Sequence, residues 1–196
     1  MAPMRLLAFA CTLALLAASG PARAAPEKYE IDPEHFSIGF MTMHLGWARV
    51  LSMFLKATGS FVFDEEALSL TDVRIEVETK SVFSNHKRRD RHLRSPDFLN
   101  SREFPTMVFV GTATERTGER TGILRGELTL VGETRPLSLE IVWNKSGAYE
   151  LGGPDRVGVS ARGTFLRSDF GMVYGIDNKF VGDEVEIFIE FEARKK

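Results

Sequence analysis

Residues 126–143, GELTLVGETRPLSLEIVW, decide the fold class. Leu128 and Leu130 precede a turn at Gly132, and Leu137, Leu139, Ile141 and Trp143 follow it, each pair separated by one residue. Successive side chains of a strand point to opposite faces, so a period of two gathers these apolar residues on one face. The glycine turn reverses the chain, and Pro136 fits the start of the returning strand. The segment reads as a β-hairpin.

The same period runs outward in both directions. In TDVRIEVET, Val73, Ile75 and Val77 oppose Asp72, Arg74, Glu76 and Glu78. In EVEIFIEFEAR, Val185, Ile187, Ile189, Phe191 and Ala193 oppose Glu184, Glu186, Glu190 and Glu192. IGFMTM, TMVFVG and RVGVSARGTFL supply further strands, whereas Val50, Leu51 and Phe54 within 49–56 suit a helix as well as a strand. In RVGVSARGTFL, alternation sets Ala161 on the inner face with Val157, Val159 and Phe165. Many strands, little helix and no internal repeat indicate an all-β antiparallel barrel or sandwich. The helical exception is HKRRDRHLRSPDFLN, residues 86–100, where Asn85 is the expected cap of a short helix and Ser95-Pro96 opens a second turn.

The first 30 residues, MAPMRLLAFACTLALLAASGPARAAPEKYE, carry one positive charge before an apolar run from Leu6 to Ala18. Ala22-Arg23-Ala24 fits a small-x-small cleavage site, so residues 1–24 read as a secretory signal peptide and 25–196 as one domain. The run is too short to span a bilayer, which needs roughly 20 residues. Cys11 falls inside the leader, leaving no cysteine for a disulfide or a nucleophile. Losing Arg5 and Arg23 takes the net charge from −2 to −4, which argues against general nucleic-acid binding. Lys87, Arg88, Arg89, Arg91 and Arg94 then form a local basic island, a feature more often a solvated face than a site.

Chemical motifs are sparse. There is no Gly-x-Ser-x-Gly elbow and no phosphate-cradling glycine loop. The four histidines, His35, His44, His86 and His92, show no metal-ligand spacing, and no metal is expected. Asp90 between Arg89 and Arg91 reads as an ion-pair hub, with Arg94 one helical turn away. Several strands are apolar on both faces: Met107 and Phe109 alternate with Val108 and Val110, and Met41 and Met43 with Ile38 and Phe40. A well-filled core explains that pattern, and so does a barrel lined around a greasy ligand.

YEIDPEHFSIGFMTMHLG, VETKSVFSNHKRRDRHLRSPDFLNSREFPTMVF, GELTLVGETRPLSLEI and FLRSDFGM resemble the YceI-like family of polyisoprenoid-binding proteins, from Tyr29 to about Ala193. Arg89-Asp90, His92-Leu93, Ser95, Asp97-Phe98 and Phe104-Pro105 fall where the family motif requires them. The resemblance implies an extended, lipocalin-like antiparallel barrel of about eight strands, with the helical insertion near residues 85–99. It implies an exported, periplasmic protein that binds, sequesters or transports a long isoprenoid lipid, such as a polyprenyl phosphate or a quinone-like molecule.

In such a barrel the candidate cavity residues are Phe40, Phe54, Met107, Phe109, Val159, Ala161 and Phe165, while Arg89, Asp90, His92 and Pro105 form a structural motif. An Arg89–Asp90 ion pair would hold the helix to the barrel. No cofactor other than the lipid, no integral membrane segment and no nucleic-acid partner is implied, and a homodimer is left open. Burying a methylene contributes roughly 0.8 kcal/mol. A tail of about forty carbons would then exceed the ceiling of about 20 kcal/mol for non-covalent binding. The tail can therefore supply the affinity while polar groups at the mouth orient the head.

The chain departs from the family at Phe36, Ser52 and Ala57, where a serine, a glycine and an aromatic are usual. Those departures bear on the cavity's size and occupant. The chain is read as a binding protein and not an enzyme. The alternatives are an enzyme acting on such a lipid through His44, Asp90 or His92, and a stress-response module that binds a membrane protein.

Overall fold

The computed structural model describes residues 25–196; the expected leader, with Cys11, lies outside the described residues. The described residues form ten strands and one α-helix: β1 Glu27–His44, β2 Ala48–Phe54, β3 Ala57–Asp64, β4 Ser69–Glu78, β5 Val82–Phe83, α1 Lys87–Leu93, β6 Thr106–Arg116, β7 Thr121–Leu130, β8 Glu133–Gly147, β9 Arg156–Leu166 and β10 Val181–Lys195. Every neighbouring pair is antiparallel, and eight strands close a ring in the order β1-β3-β4-β6-β7-β8-β9-β10. The lipocalin-like barrel is therefore present. Closure removes the exposed edges that an open sheet would present.

The hairpin forms as its pattern requires. Leu130 pairs with Glu133 across a two-residue turn in which Val131 and Gly132 both take positive φ, 52° and 80°. Positive φ at both central residues makes a type I′ turn, whose backbone twist matches the right-handed twist of the flanking strands. Leu137, Leu139, Ile141 and Trp143 are all buried, and Ser138, Glu140 and Val142 face outward.

Two features of β1 shape the barrel. Its first part pairs with β3 and its second with β2, so of residues 49–56, open to a helical reading, 49–54 form strand and Leu55 and Lys56 link β2 to β3. Pairing of Met53 with Gly39 and of Ser52 with Phe40 overrides the local ambiguity. The second feature is a bulge. Ile31 faces Ala193 and Phe36 faces Phe191, so five steps on β1 span two on β10. The three additional residues, an odd number, switch the inward set from Tyr29 and Ile31 to Phe36, Ile38 and Phe40. Without the bulge one half of β1 would turn its apolar row to solvent.

The helical insertion is shorter than 85–99, with α1 ending at Leu93 and turns continuing to Leu99. Asn85 is not its cap. It takes a left-handed φ of 58°, which asparagine tolerates, and the His86 ring accepts from the Arg89 amide at 3.3 Å. β5 contributes only two residues to the sheet, so α1 and its turns cover the wall beside it.

Candidate functional site

Inside the barrel lies a cavity of about 750 Å³, open at one end. Its floor is aromatic: Tyr29 stacks on Phe61 at 5.9 Å, and Phe61 meets Phe191 at 5.9 Å. Beyond the floor, the bulge of β1 buries the Asp32 carboxylate completely at the seam between β1, β9 and β10. Asp32 accepts from Arg156 at 2.6 Å, from Arg194 at 2.7 Å, from His35 Nδ1 at 2.8 Å and from the Glu34 amide at 3.0 Å. Burial alone would push its pKa up; the hydrogen bonds from His35, Glu34, Arg194 and Arg156 outweigh it and hold the carboxyl well below the usual range. Asp32, Glu34 and His35 have metal-ligand proximity, yet two guanidinium groups already occupy the Asp32 oxygens and would repel a cation.

The walls are apolar. All seven cavity candidates, Phe40, Phe54, Met107, Phe109, Val159, Ala161 and Phe165, line this space. Several inward residues, including Phe36, Phe40, Met107, Phe165, Ile187, Ile189 and Phe191, are only half-buried despite pointing to the barrel axis. They face open volume where a filled core would place atoms. Val108 and Val110 instead stand on the outer wall, so apolar residues on both faces of β6 serve two surfaces. β-branched residues suit an exposed strand as well as a buried one.

The mouth is cationic. Among the described residues no Asp or Glu lines the cavity, whereas the cations Arg88, Arg89 and Arg167 reach it, together with the imidazoles of His44, His86 and His92. Arg167 is 3% exposed and sits on a 3-10 turn, Arg167–Phe170, just after β9. It donates to the carbonyls of Gly182 at 2.8 Å, Tyr174 at 2.8 Å and Val181 at 2.9 Å, and to that of Met172. Burial lowers its pKa and the charge of Asp183 opposes the shift. Its guanidinium also lies 5.6 Å from the Phe98 ring. One buried cation thus ties the β9–β10 connection together beside the mouth.

α1 is held differently from the expected ion pair. Asp90 is 7% exposed and accepts from the Ser84 amide at 2.7 Å and the Ser84 hydroxyl at 2.5 Å. Arg89 donates to the Ser84 hydroxyl at 2.9 Å and its carbonyl at 2.5 Å. Arg94 donates to the carbonyls of Lys80 and Val82. Among the described residues Asp90 forms no ion pair, because the chain just before the helix offers unpaired backbone groups that these side chains satisfy. His92 pairs with Asp97 at 2.8 Å and packs edge-on against Phe98 and Tyr174. Pro105 is exposed, and its carbonyl accepts from the Thr79 amide. His44 and His92 reach the cavity, but Asp90 does not.

The YceI-like domain matches residues 29–193. The chain belongs to that family. It is 37% identical over 179 residues to protein YceI of Salmonella arizonae, covering 91% of this chain and 92% of that one. The fold is similar to that of BcnA from Burkholderia cenocepacia, with a TM-score of 0.74, 18% identity and coverage of 83% and 98% of the two chains. A polyisoprenoid binding domain from Saccharophagus degradans, implicated in plant cell wall breakdown, also shares it, with a TM-score of 0.65, 9% identity and coverage of 88% and 100%.

Two of the three departures from the YceI-like pattern, Phe36 and Ser52, line the cavity; Ala57 does not. The reading of the residues missed Asp32 and Arg167. Asp32-Pro33 interrupts the apolar alternation of β1, a signal of the bulge. Arg167 carried no local signal, since its carbonyl partners come from residues five to fifteen positions away.

Proposed function

We propose that this protein holds a long-chain isoprenoid lipid in the barrel and sequesters or transports it in the periplasm after loss of residues 1–24. One observation carries the reading: an apolar cavity of about 750 Å³, closed at its floor, opens through a cationic mouth. At about 30 Å³ per carbon-sized group, the share of one water molecule in the liquid, that volume takes on the order of 25 such groups. Five isoprene units fit that length, and a longer tail would fold back or project through the mouth.

Each buried methylene contributes roughly 0.8 kcal/mol, so the tail dominates affinity. The head then needs only to accept hydrogen bonds from the mouth, as a phosphate or a quinone carbonyl does. The polyisoprenoid-binding domain of the same fold supports this ligand class. Binding without chemical conversion also suits a wall that presents cations but no carboxylate base. Mass spectrometry of lipid extracted from gently purified protein should find an isoprenoid at near-stoichiometric level. Finding none, even after incubation with a polyprenyl phosphate and a prenylated quinone, would refute the proposal.

A further inference from the structure

The rim of the cavity combines exposed apolar side chains with unpaired cations. Trp47, at the tip of the β1–β2 turn, is 87% exposed, beside Leu45 at 46%. The Leu45 amide donates to the Phe180 carbonyl at 3.1 Å, which places the β9–β10 connection next to this turn. Val173 and Phe180 of that connection are exposed as well, and Tyr174 packs against His92 of α1 at 4.8 Å. Leu45, Tyr174 and Phe180 also line the cavity, so one continuous rim surrounds the opening.

Around it, Lys87, Arg88 and Arg91 of α1 and Lys179 are exposed, and their side-chain cations have no ion-pair or hydrogen-bond partner among the described residues. The whole chain is net negative, whereas α1 carries four Lys or Arg against one acid, the buried Asp90; the β9–β10 connection adds Lys179 and an exposed Asp177.

We infer that this rim docks on an anionic lipid bilayer, with Trp47, Leu45, Val173 and Phe180 entering the interface and Lys87, Arg88, Arg91 and Lys179 meeting the head groups. The inference rests on the lipid-carrier reading, because it explains how a water-insoluble tail would enter the cavity without crossing water. Tryptophan favours the head-group level, where its apolar body and polar N–H are both satisfied. Basic residues close to an anionic surface strengthen partitioning by about five-fold each, and salt weakens that effect within a Debye length. Apolar residues alone would not select anionic lipid, and cations alone would not require an exposed tryptophan.

The full-length mature chain carries its own probe. Trp143 is buried, so a change in tryptophan emission on adding vesicles reports Trp47. Vesicles of phosphatidylcholine with phosphatidylglycerol should blue-shift the emission, brominated lipid should quench it, and phosphatidylcholine alone should do neither. Trp47→Ser should abolish sedimentation with anionic vesicles at unchanged isoprenoid content and melting temperature. Lys87→Gln with Arg91→Gln should weaken sedimentation on the order of 25-fold.

No shift or quenching on anionic vesicles would overturn the inference. So would equal binding to neutral vesicles, or sedimentation undiminished in Trp47→Ser. The quenching test uses unaltered protein, so a folding defect in the variant cannot mask the result. Protein that carries isoprenoid but ignores vesicles defeats this inference alone. Protein that docks yet never takes up isoprenoid defeats the carrier reading and leaves docking standing.

Discussion

Ala161→Phe distinguishes a ligand-filled barrel from a filled core. Ala161 lies on the inner face of β9, between Ile141 of β8 and Ile189 of β10, and lines the cavity. The substitution adds six ring carbons to a space that holds on the order of 25 carbon-sized groups, and so removes roughly a quarter of it. In a packed core the ring would have nowhere to go, and overpacking would cost about 1–3 kcal/mol. In the cavity it meets open volume, so delipidated Ala161→Phe should melt at or above the wild-type temperature. Bound lipid should suffer. Expelling six methylene equivalents forfeits up to about 5 kcal/mol of gross burial. A tail that projects through the mouth recovers part of that, so affinity should fall at least about ten-fold, or about 1.4 kcal/mol. The assay pairs thermal melts of delipidated proteins with lipid content after reloading with a polyprenyl phosphate. A variant that loses stability and keeps its lipid would show that β9 borders packed core and that the cavity assignment is wrong.

Two further predictions concern the anchors. Asp90→Asn should lower the melting temperature, because weakening the acceptor of the Ser84 amide and hydroxyl costs about 1–3 kcal/mol when a buried donor is left poorly paired; an unchanged melt with lost lipid binding would move α1 from structural anchor to ligand contact. Asp32→Asn should cost about 1–3 kcal/mol at neutral pH by weakening the buried acceptor that Arg156 and Arg194 share, while Glu192 still pairs with Arg156 and Glu34 with Arg194. Asp32 has a depressed pKa in the folded state, so its contribution is complete above the unfolded value of about 3.9 and is lost as pH falls below it. Denaturant titrations should therefore show the wild type losing more stability than Asp32→Asn between about pH 4 and pH 2, and parallel curves would refute the clamp.

Alternation is a local property. The inward faces of residues 126–143, of 185–193 and of Val157, Val159 and Ala161 could be read because a strand dictates where each successive side chain points. The basic island was legible from composition alone. Residues 49–54 were not, since only pairing with β1 makes them strand. The bulge at Asp32–His35 converts two rows of opposite parity into one wall, and its parity count depends on a strand more than 150 residues later. Arg89 and Asp90 were recognised as a pair, but their common partner is Ser84, chosen by how the chain enters the helix. Whether apolar inner faces meet or leave a gap depends on ring closure by eight strands and on the summed side-chain volume inside it. Alternation dictates which side chains share a face within one strand; that the inward faces enclose a space follows from closure of the barrel, because volume belongs to the whole ring and to no single strand.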